Sequence, residues 1–113
     1  MNPTSNYDFT IVVPVYNEEE NMDRLKEILS SYVQFSSVKS CVLFVNDGST
    51  DNSKELMAEI CRKYRHFFYL SFARNAGLSA AIKAGFDLAQ SPFVGYIDAD
   101  LQTTPADFEL LLP

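Results

Sequence analysis

The chain has 113 residues, 47% of them hydrophobic and 21% charged, with a formal net charge of −6. That is enough for one domain with one core, and the composition is that of an ordinary globular protein. The negative balance argues against nonspecific binding of nucleic acid or an anionic membrane, and a polyphosphate ligand would need local help from a metal, an arginine or helix N-termini.

Residues 1–8 are polar and are expected to be a flexible N-terminus. They show neither the basic nor the apolar region of a signal peptide. Phe9-Thr10-Ile11-Val12-Val13 is apolar and β-branched, a first strand that Pro14 is expected to end. Tyr16 to Asn21 form a polar loop, and Met22, Leu25, Ile28, Leu29 and Tyr32 then recur at helical spacing. The acidic run Glu18-Glu19-Glu20 suits the N-terminus of that helix. Cys41-Val42-Leu43-Phe44-Val45 reads as a second strand, apolar throughout as in a sheet covered on both faces. Ser49 or Thr50 is expected to cap the next helix, whose Leu56, Ile60 and Tyr64 share a face. Residues 67–72 form a third strand, followed by Ala73-Arg74-Asn75-Ala76-Gly77. Leu78, Ala81, Ile82, Gly85, Phe86 and Ala89 then mark a helix face, which Ser91-Pro92 ends. The fourth strand, residues 93–97, runs straight into Asp98-Ala99-Asp100-Leu101-Gln102. Pro105 suits the first turn of a final helix with Phe108, Leu111 and Leu112 on its apolar face.

This alternation predicts an α/β fold with a mostly parallel sheet, flanking helices and right-handed crossovers. In such a sheet the strand exits share one edge, where ligands bind. The exits carry Tyr16 and Glu18, then Asp47, then Arg74 and Asn75, then Asp98 and Asp100. Residues i and i+2 of an extended chain point the same way, so Asp98 and Asp100 are expected to converge. A divalent cation would relieve their repulsion, and the Gln102 amide oxygen offers a third ligand. Taken alone, the pair is equally the cap of a turn or of the next helix.

Other chemistries find no footing. There is no phosphate-binding G-x-x-x-x-G-K-[ST], no G-x-G-x-x-G after the first strand and no G-x-S-x-G elbow. The one histidine, His66, precedes an apolar strand and receives no role. Cys41 and Cys61 lie in apolar-periodic segments without metal-site spacing, and are expected to be buried free thiols of a reducing compartment. No apolar run approaches the roughly 20 residues that span a bilayer, so a soluble, cytoplasmic chain is expected.

Val13-Pro14-Val15-Tyr16-Asn17-Glu18, Val45-Asn46-Asp47-Gly48-Ser49-Thr50-Asp51 and Asp98-Ala99-Asp100 resemble the N-terminal half of family-two glycosyltransferases of the GT-A fold. The run from Arg74-Asn75-Ala76-Gly77 through Ala80-Ala81 to Asp98-Ala99-Asp100-Leu101-Gln102 is similar to one branch, the polyprenyl-phosphate (dolichyl- and undecaprenyl-phosphate) glycosyltransferases. The resemblance covers residues 9–113 and implies a Rossmann-like, nucleotide-sugar-binding half of a GT-A domain. It implies that Pro14, Tyr16 and Glu18 line the base and ribose, and that Asp47 accepts hydrogen bonds from the base. Arg74 would lie near the pyrophosphate or the far wall of the pocket. Asp98 and Asp100, with Gln102, would hold Mg²⁺ or Mn²⁺.

The implied activity is an inverting transfer from a UDP- or GDP-sugar to a polyprenyl phosphate. A saccharide hydroxyl acceptor, as in cell-surface polysaccharide synthesis, is the alternative within the family. A non-catalytic nucleotide-binding module is the alternative outside it. The chain departs from the family's usual Asp-Asp-Gly-Ser in having Asn46 at the first position, and it has Thr103-Thr104-Pro105 where the branch often has a basic residue and then prolines. A whole GT-A domain needs about twice this length. An N-terminal fragment is therefore expected, inactive alone, without a catalytic base and self-associating through a bared sheet edge. Its parent is expected at the cytoplasmic face of the membrane.

Overall fold

The computed structural model describes residues 2–100. Gln102 and the expected final helix lie outside the described residues. Four strands, β1 (Phe9–Val15), β2 (Ser40–Asn46), β3 (Phe67–Ser71) and β4 (Phe93–Tyr96), alternate with helices α1 (Met22–Phe35), α2 (Ser53–Lys63) and α3 (Leu78–Leu88). All the pairings are parallel, in the order β3-β2-β1-β4. The central strands β1 and β2 are buried along their whole length, as their unbroken apolar runs require.

Side-chain alternation divides the core between two faces. Phe9, Ile11, Val13 and Val15 of β1, with Val42 and Phe44 of β2, pack against Met22, Leu25 and Leu29 of α1 and Met57 and Ile60 of α2. Val12 and Val45 point the other way, to Ala81 of α3. That second layer is held close by Gly85. A Cβ there would lie 2.4 Å from Val12 Cγ1 and 3.2 Å from Val45 Cγ2, so only glycine admits the helix at this distance. The crossovers α1 and α2 thus cover one face and α3 the other. The strand order reverses between β1 and β4, the place in such sheets outside whose carboxyl ends ligands bind.

Three expectations about boundaries are corrected. Pro14 does not end β1; it pairs opposite Val45, inside the strand. Asp8 and Val12 turn their carbonyls toward β4, accepting from Phe93 and Ile97, so Pro14, two residues on, turns its nitrogen the same way. There β4 has already ended, at Tyr96 opposite Val12, and the missing N–H costs no ladder bond. Neither Ser49 nor Thr50 caps α2; the cap position is Asn52, which makes no side-chain cap bond. Instead Asp51 Oδ1 accepts from Ser53 N–H at 2.8 Å. The fourth strand stops at Tyr96, so Asp98 follows the strand and Asp100 lies in a turn.

The N-terminal segment packs more tightly than its polar composition suggests. Pro3–Asn6 form a 3₁₀ turn capped by Asn2, Thr4 is buried, and the Asn2 side chain donates to the Leu88 carbonyl. Tyr7 Oη meets His66 Nδ1 at 2.7 Å. Burial, with the nearby charges of Arg65 and Lys39, holds the His66 imidazole below its ordinary range, which suits a neutral ring accepting from the phenol.

Candidate functional site

Three loops at the carboxyl edge are bolted together by short polar side chains. Asn17, after β1, adopts a positive φ of 53°, which asparagine tolerates better than most residues. Its Oδ1 accepts from Thr50 N–H at 2.8 Å and Asp51 N–H at 3.3 Å, while its own N–H donates to Ser49 Oγ at 3.0 Å. Glu18 N–H donates to Ser53 Oγ at 2.8 Å, and Glu19 N–H to Asp51 Oδ2 at 3.2 Å. These bonds fix the β1 exit against the loop after β2. Desolvation pushes the Asp51 carboxyl up, but hydrogen bonds from the Ser53 hydroxyl and from the Ser53 and Glu19 N–H groups outweigh it and hold its pKa below the usual value.

Asp47 joins the third loop. It is 3% exposed. Its Oδ1 accepts from Ala76 N–H at 2.7 Å; its Oδ2 accepts from Gly77 N–H at 3.1 Å and Asn75 Nδ2 at 2.9 Å. Asn75 Nδ2 also reaches the Asp47 carbonyl, at 3.2 Å. The carboxylate thereby sits at the N-terminus of α3, where Gly77, at φ 103°, brings no side-chain cap of its own. Gly48, at φ 69°, lets the loops touch: a Cβ there would lie 2.3 Å from both the Arg74 carbonyl carbon and the Asn75 nitrogen. Asn46 completes the frame, accepting from Ser49 N–H at 3.0 Å and donating to Ser71 Oγ at 3.2 Å.

Among the sequence-predicted residues, Pro14, Tyr16 and Asp47 line one cleft of about 280 Å³, together with Asn75, Gly77 and Leu78. Tyr16 is 47% exposed. Glu18, half-buried beside Asn21, and Arg74, exposed on the loop tip, stand outside that lining. So do Asp98 and Asp100. Ile97 N–H donates to the Val12 carbonyl at 3.1 Å, which extends the β4 pairing toward the end of β1. Ile97 and Ala99 are buried while Asp98 is half-buried and Asp100 exposed. Both carboxylates are thus less buried than the apolar residues that alternate with them. Among the described residues no three His, Cys, Asp or Glu side chains gather as a metal cluster.

A larger hollow of about 470 Å³ lies beside β3, lined by Pro3, Leu43, Cys61, Phe68 and Leu88. It is mostly apolar and brings no carboxylates together, and burial pushes the Cys61 thiol up to about 12, far from a nucleophile. The smaller cleft is the candidate site, because polar side chains of three loops meet there. Sequence reading missed how many residues build it rather than line it: Asn17, Ser49, Asp51 and Ser53. Their signal was present, since Asn, Asp and Ser next to a glycine at strand ends favour side-chain-to-backbone bonds. The partners across loops were not.

The family model described as Glycosyl transferase family 2 matches residues 10–113. The chain is 43% identical over 108 residues to a protein of Bacillus subtilis (strain 168) named as an uncharacterized glycosyltransferase, YkcC; the match covers 92% of this chain and 31% of that one. It is 35% identical over 112 residues to the undecaprenyl-phosphate 4-deoxy-4-formamido-L-arabinose transferase of Proteus mirabilis (strain HI4320), covering 91% of this chain and 32% of that one. Among solved structures, the mannosyltransferase PcManGT of Pyrobaculum calidifontis, in complex with GDP-Man and Mn²⁺, shares the fold. Its TM-score is 0.70 at 21% identity, over 83% of this chain and 28% of that one. The chain thus spans about a third of the length of the curated relatives it matches.

Proposed function

The chain belongs to glycosyl transferase family 2, and on that premise we propose that it forms the donor side of an enzyme transferring a sugar from a nucleotide-sugar to a polyprenyl phosphate, with inversion. The observation that carries the reading is the cleft at the carboxyl edge. Tyr16 and Asp47 line it, and the Asp98–Asp100 pair follows the neighbouring strand β4. The relative named as an undecaprenyl-phosphate sugar transferase supports the acceptor class. The neighbour holding GDP-Man and Mn²⁺ supports a nucleotide-sugar donor and a divalent ion.

In this reading Tyr16 stacks on the base and Asp47 accepts from its edge. Pro14 and Glu18 border the base and ribose, and the exposed Arg74 guanidinium offers positive charge to the pyrophosphate. The α3 N-terminus is already compensated by Asp47, so the pyrophosphate is directed toward the β4 exit. Asp98, Asp100 and Gln102 fit Mg²⁺ or Mn²⁺, because such an ion takes one or two carboxylates plus phosphate oxygens and water rather than an all-protein cage. When bound, it supplies charge against the leaving nucleoside diphosphate. A phosphate monoester's second pKa is about 6, so a polyprenyl phosphate is already anionic near neutral pH. The reaction then asks for positioning more than for a general base. Among the described residues no helix is long and apolar enough to cross a membrane. Placement of the longer parent at the cytoplasmic face belongs to the same proposal.

Titration of the purified chain with UDP, GDP and CDP, with and without Mn²⁺, tests the reading. At least one nucleotide should bind only with the metal, and Asp100→Ala should weaken it by roughly tenfold or more. Absence of binding by all three would overturn the assignment. The chain alone should transfer little or no sugar in a radiolabelled-donor assay, and sustained turnover would contradict a donor-side role.

A further inference from the structure

We propose that the hollow beside β3 binds a straight-chain fatty-acid anion, with the hydrocarbon chain inside and the carboxylate on Arg65. Leu43 of β2 and Phe68 of β3 contribute to its lining. They alternate with Val42 and Phe67, which belong to the core under α1 and α2, so they face the other side of the sheet. Of α3, only Leu88 at its last position reaches the lining. The N-terminal turn supplies a further wall, and its polar groups are occupied in holding it there. Asn2 Oδ1 accepts from Thr4 N–H at 2.9 Å and from Thr4 Oγ1 at 2.7 Å. The Asn2 amide donates to the Leu88 carbonyl, and Thr4 Oγ1 accepts from Gln90 N–H at 2.9 Å. Pro3 lines the hollow between these two pinned residues. At about 470 Å³ the space falls within the range of small-molecule sites.

Arg65 is the only charged residue of the lining. It is exposed, and no carboxylate pairs with it among the described residues. An unpaired guanidinium beside an apolar hollow is complementary to an anion with an apolar body. Lys39 adds positive charge nearby: its Nζ lies 5.1 Å from the centroid of the Tyr7 ring, whose hydroxyl meets His66. Burial, then the charges of Arg65 and Lys39, hold the His66 imidazole below its ordinary range, so the positive field reaches beyond Arg65 itself. A guanidinium is a planar fork that takes a carboxylate through two parallel N–H···O bonds. Tyr69 and Leu88 of the lining are 40% and 41% exposed, and a hydrocarbon chain against them covers apolar surface that water otherwise wets. Affinity should then rise by about threefold for each added methylene that is buried. The hollow shares no lining residue with the cleft at the carboxyl edge, and the site stands whether or not that cleft binds a nucleotide.

The test is isothermal titration of the 113-residue chain with octanoate, butyrate, octan-1-ol and octyl phosphate, with amide NMR shifts locating the bound ligand. Octanoate should bind, with its largest shifts at Leu43, Phe68 and Leu88. Butyrate, shorter by four methylenes, should bind at least about tenfold more weakly. Arg65→Glu should weaken octanoate by about tenfold and leave octan-1-ol unchanged, since it reverses the charge beside the head and leaves the hollow intact. Shifts confined to Phe86 and Tyr96, on the exposed apolar patch of α3 and β4, overturn the site, as does absence of binding by every eight-carbon ligand. Butyrate binding as tightly as octanoate overturns the seating of the chain. Equal losses of octanoate and octan-1-ol in the Arg65→Glu chain, or no loss of octanoate, overturn Arg65 as the partner of the head. Octyl phosphate binding at least about tenfold tighter than octanoate overturns the carboxylate assignment. The ligand series and the shift map need no substitution, so they decide the site even where the Arg65 variant fails to fold.

Discussion

At the scale of single residues, the site is a set of polar side chains whose bonding capacity is nearly used up by the fold. Asn46 stands where the resemblance expects aspartate. It is buried, accepts from Ser49 N–H and donates to Ser71 Oγ. A carboxylate there would still accept from Ser49, and the Ser71 hydroxyl, which rotates, would turn to donate. Asn46→Asp should therefore shift the urea midpoint by less than the equivalent of about 1 kcal/mol and leave nucleotide affinity unchanged. Asn46→Leu, which keeps volume but removes both partners, should cost about 2 kcal/mol or more. Asp51 gives a pH prediction. Its folded-state pKa is held below the usual value, so the unfolded chain binds its proton more readily. Its stabilisation is complete above the unfolded value of about 4 and is lost as pH falls through the lower folded value. Asp51→Ala should cost about 1 kcal/mol at pH 7. The gap between the variant and the natural chain, read from urea midpoints, should stay constant between pH 7 and 5 and close as pH falls below about 4.

At the scale of elements, periodicity was a reliable guide because burial demands it. The apolar run at residues 41–45 and the β-branched, largely apolar run at 9–13 became the two central strands, and Met22, Leu25 and Leu29 became the buried stripe of α1. Boundaries were less legible because distant partners set them. Pro14 stays inside β1 only because β4 stops short of it. Ser49 and Thr50 look like caps in isolation and are used by Asn17 instead. For the site, Tyr16 and Asp47, read at two strand exits, lie along one cleft with Pro14, since a parallel sheet brings those exits to one edge. The filling of Asp47's lone pairs by the Asn75–Gly77 turn depends on a loop path that no local pattern encodes. The α3 layer offers the element-scale prediction. Alanine is the better helix former, by about 1 kcal/mol. Even so, Gly85→Ala should destabilise the chain by about 1–3 kcal/mol, because its Cβ meets two stiff β-branched strand residues. The check is a urea titration at constant m-value. A companion Val12→Ala should rescue part of the loss, since it removes the atom 2.4 Å away.

At the scale of the whole molecule, the two faces of the sheet are unequally finished. The α1 and α2 side closes over a large core. On the other side Leu78, Phe86 and Leu88 of α3 and Tyr96 of β4 are each more than 40% exposed, as is Phe93 at the start of β4. The sequence places Leu78 and Phe86 on the inward stripe of their helix, and their exposure follows from how little of the sheet α3 has to cover. Among the described residues β4 is also an edge strand, short and without charged side chains within Phe93–Tyr96. Proteins usually protect such edges with a charge, a proline or a covering element. An apolar edge beside an apolar helix face should pair with its own copy, and the net charge of −6 opposes this only weakly at physiological salt. The 113-residue chain should therefore self-associate at high micromolar concentration. Light scattering should give a mass above that of the 12.8 kDa monomer. Adding salt should leave the association intact or strengthen it, as expected of apolar burial with screened repulsion. Tyr96→Lys places a charge on the edge and should shift the association midpoint to at least about tenfold higher concentration, while circular dichroism stays that of the folded chain. A monomer at every concentration, or an unchanged midpoint in the Tyr96→Lys chain, would move the seam away from β4.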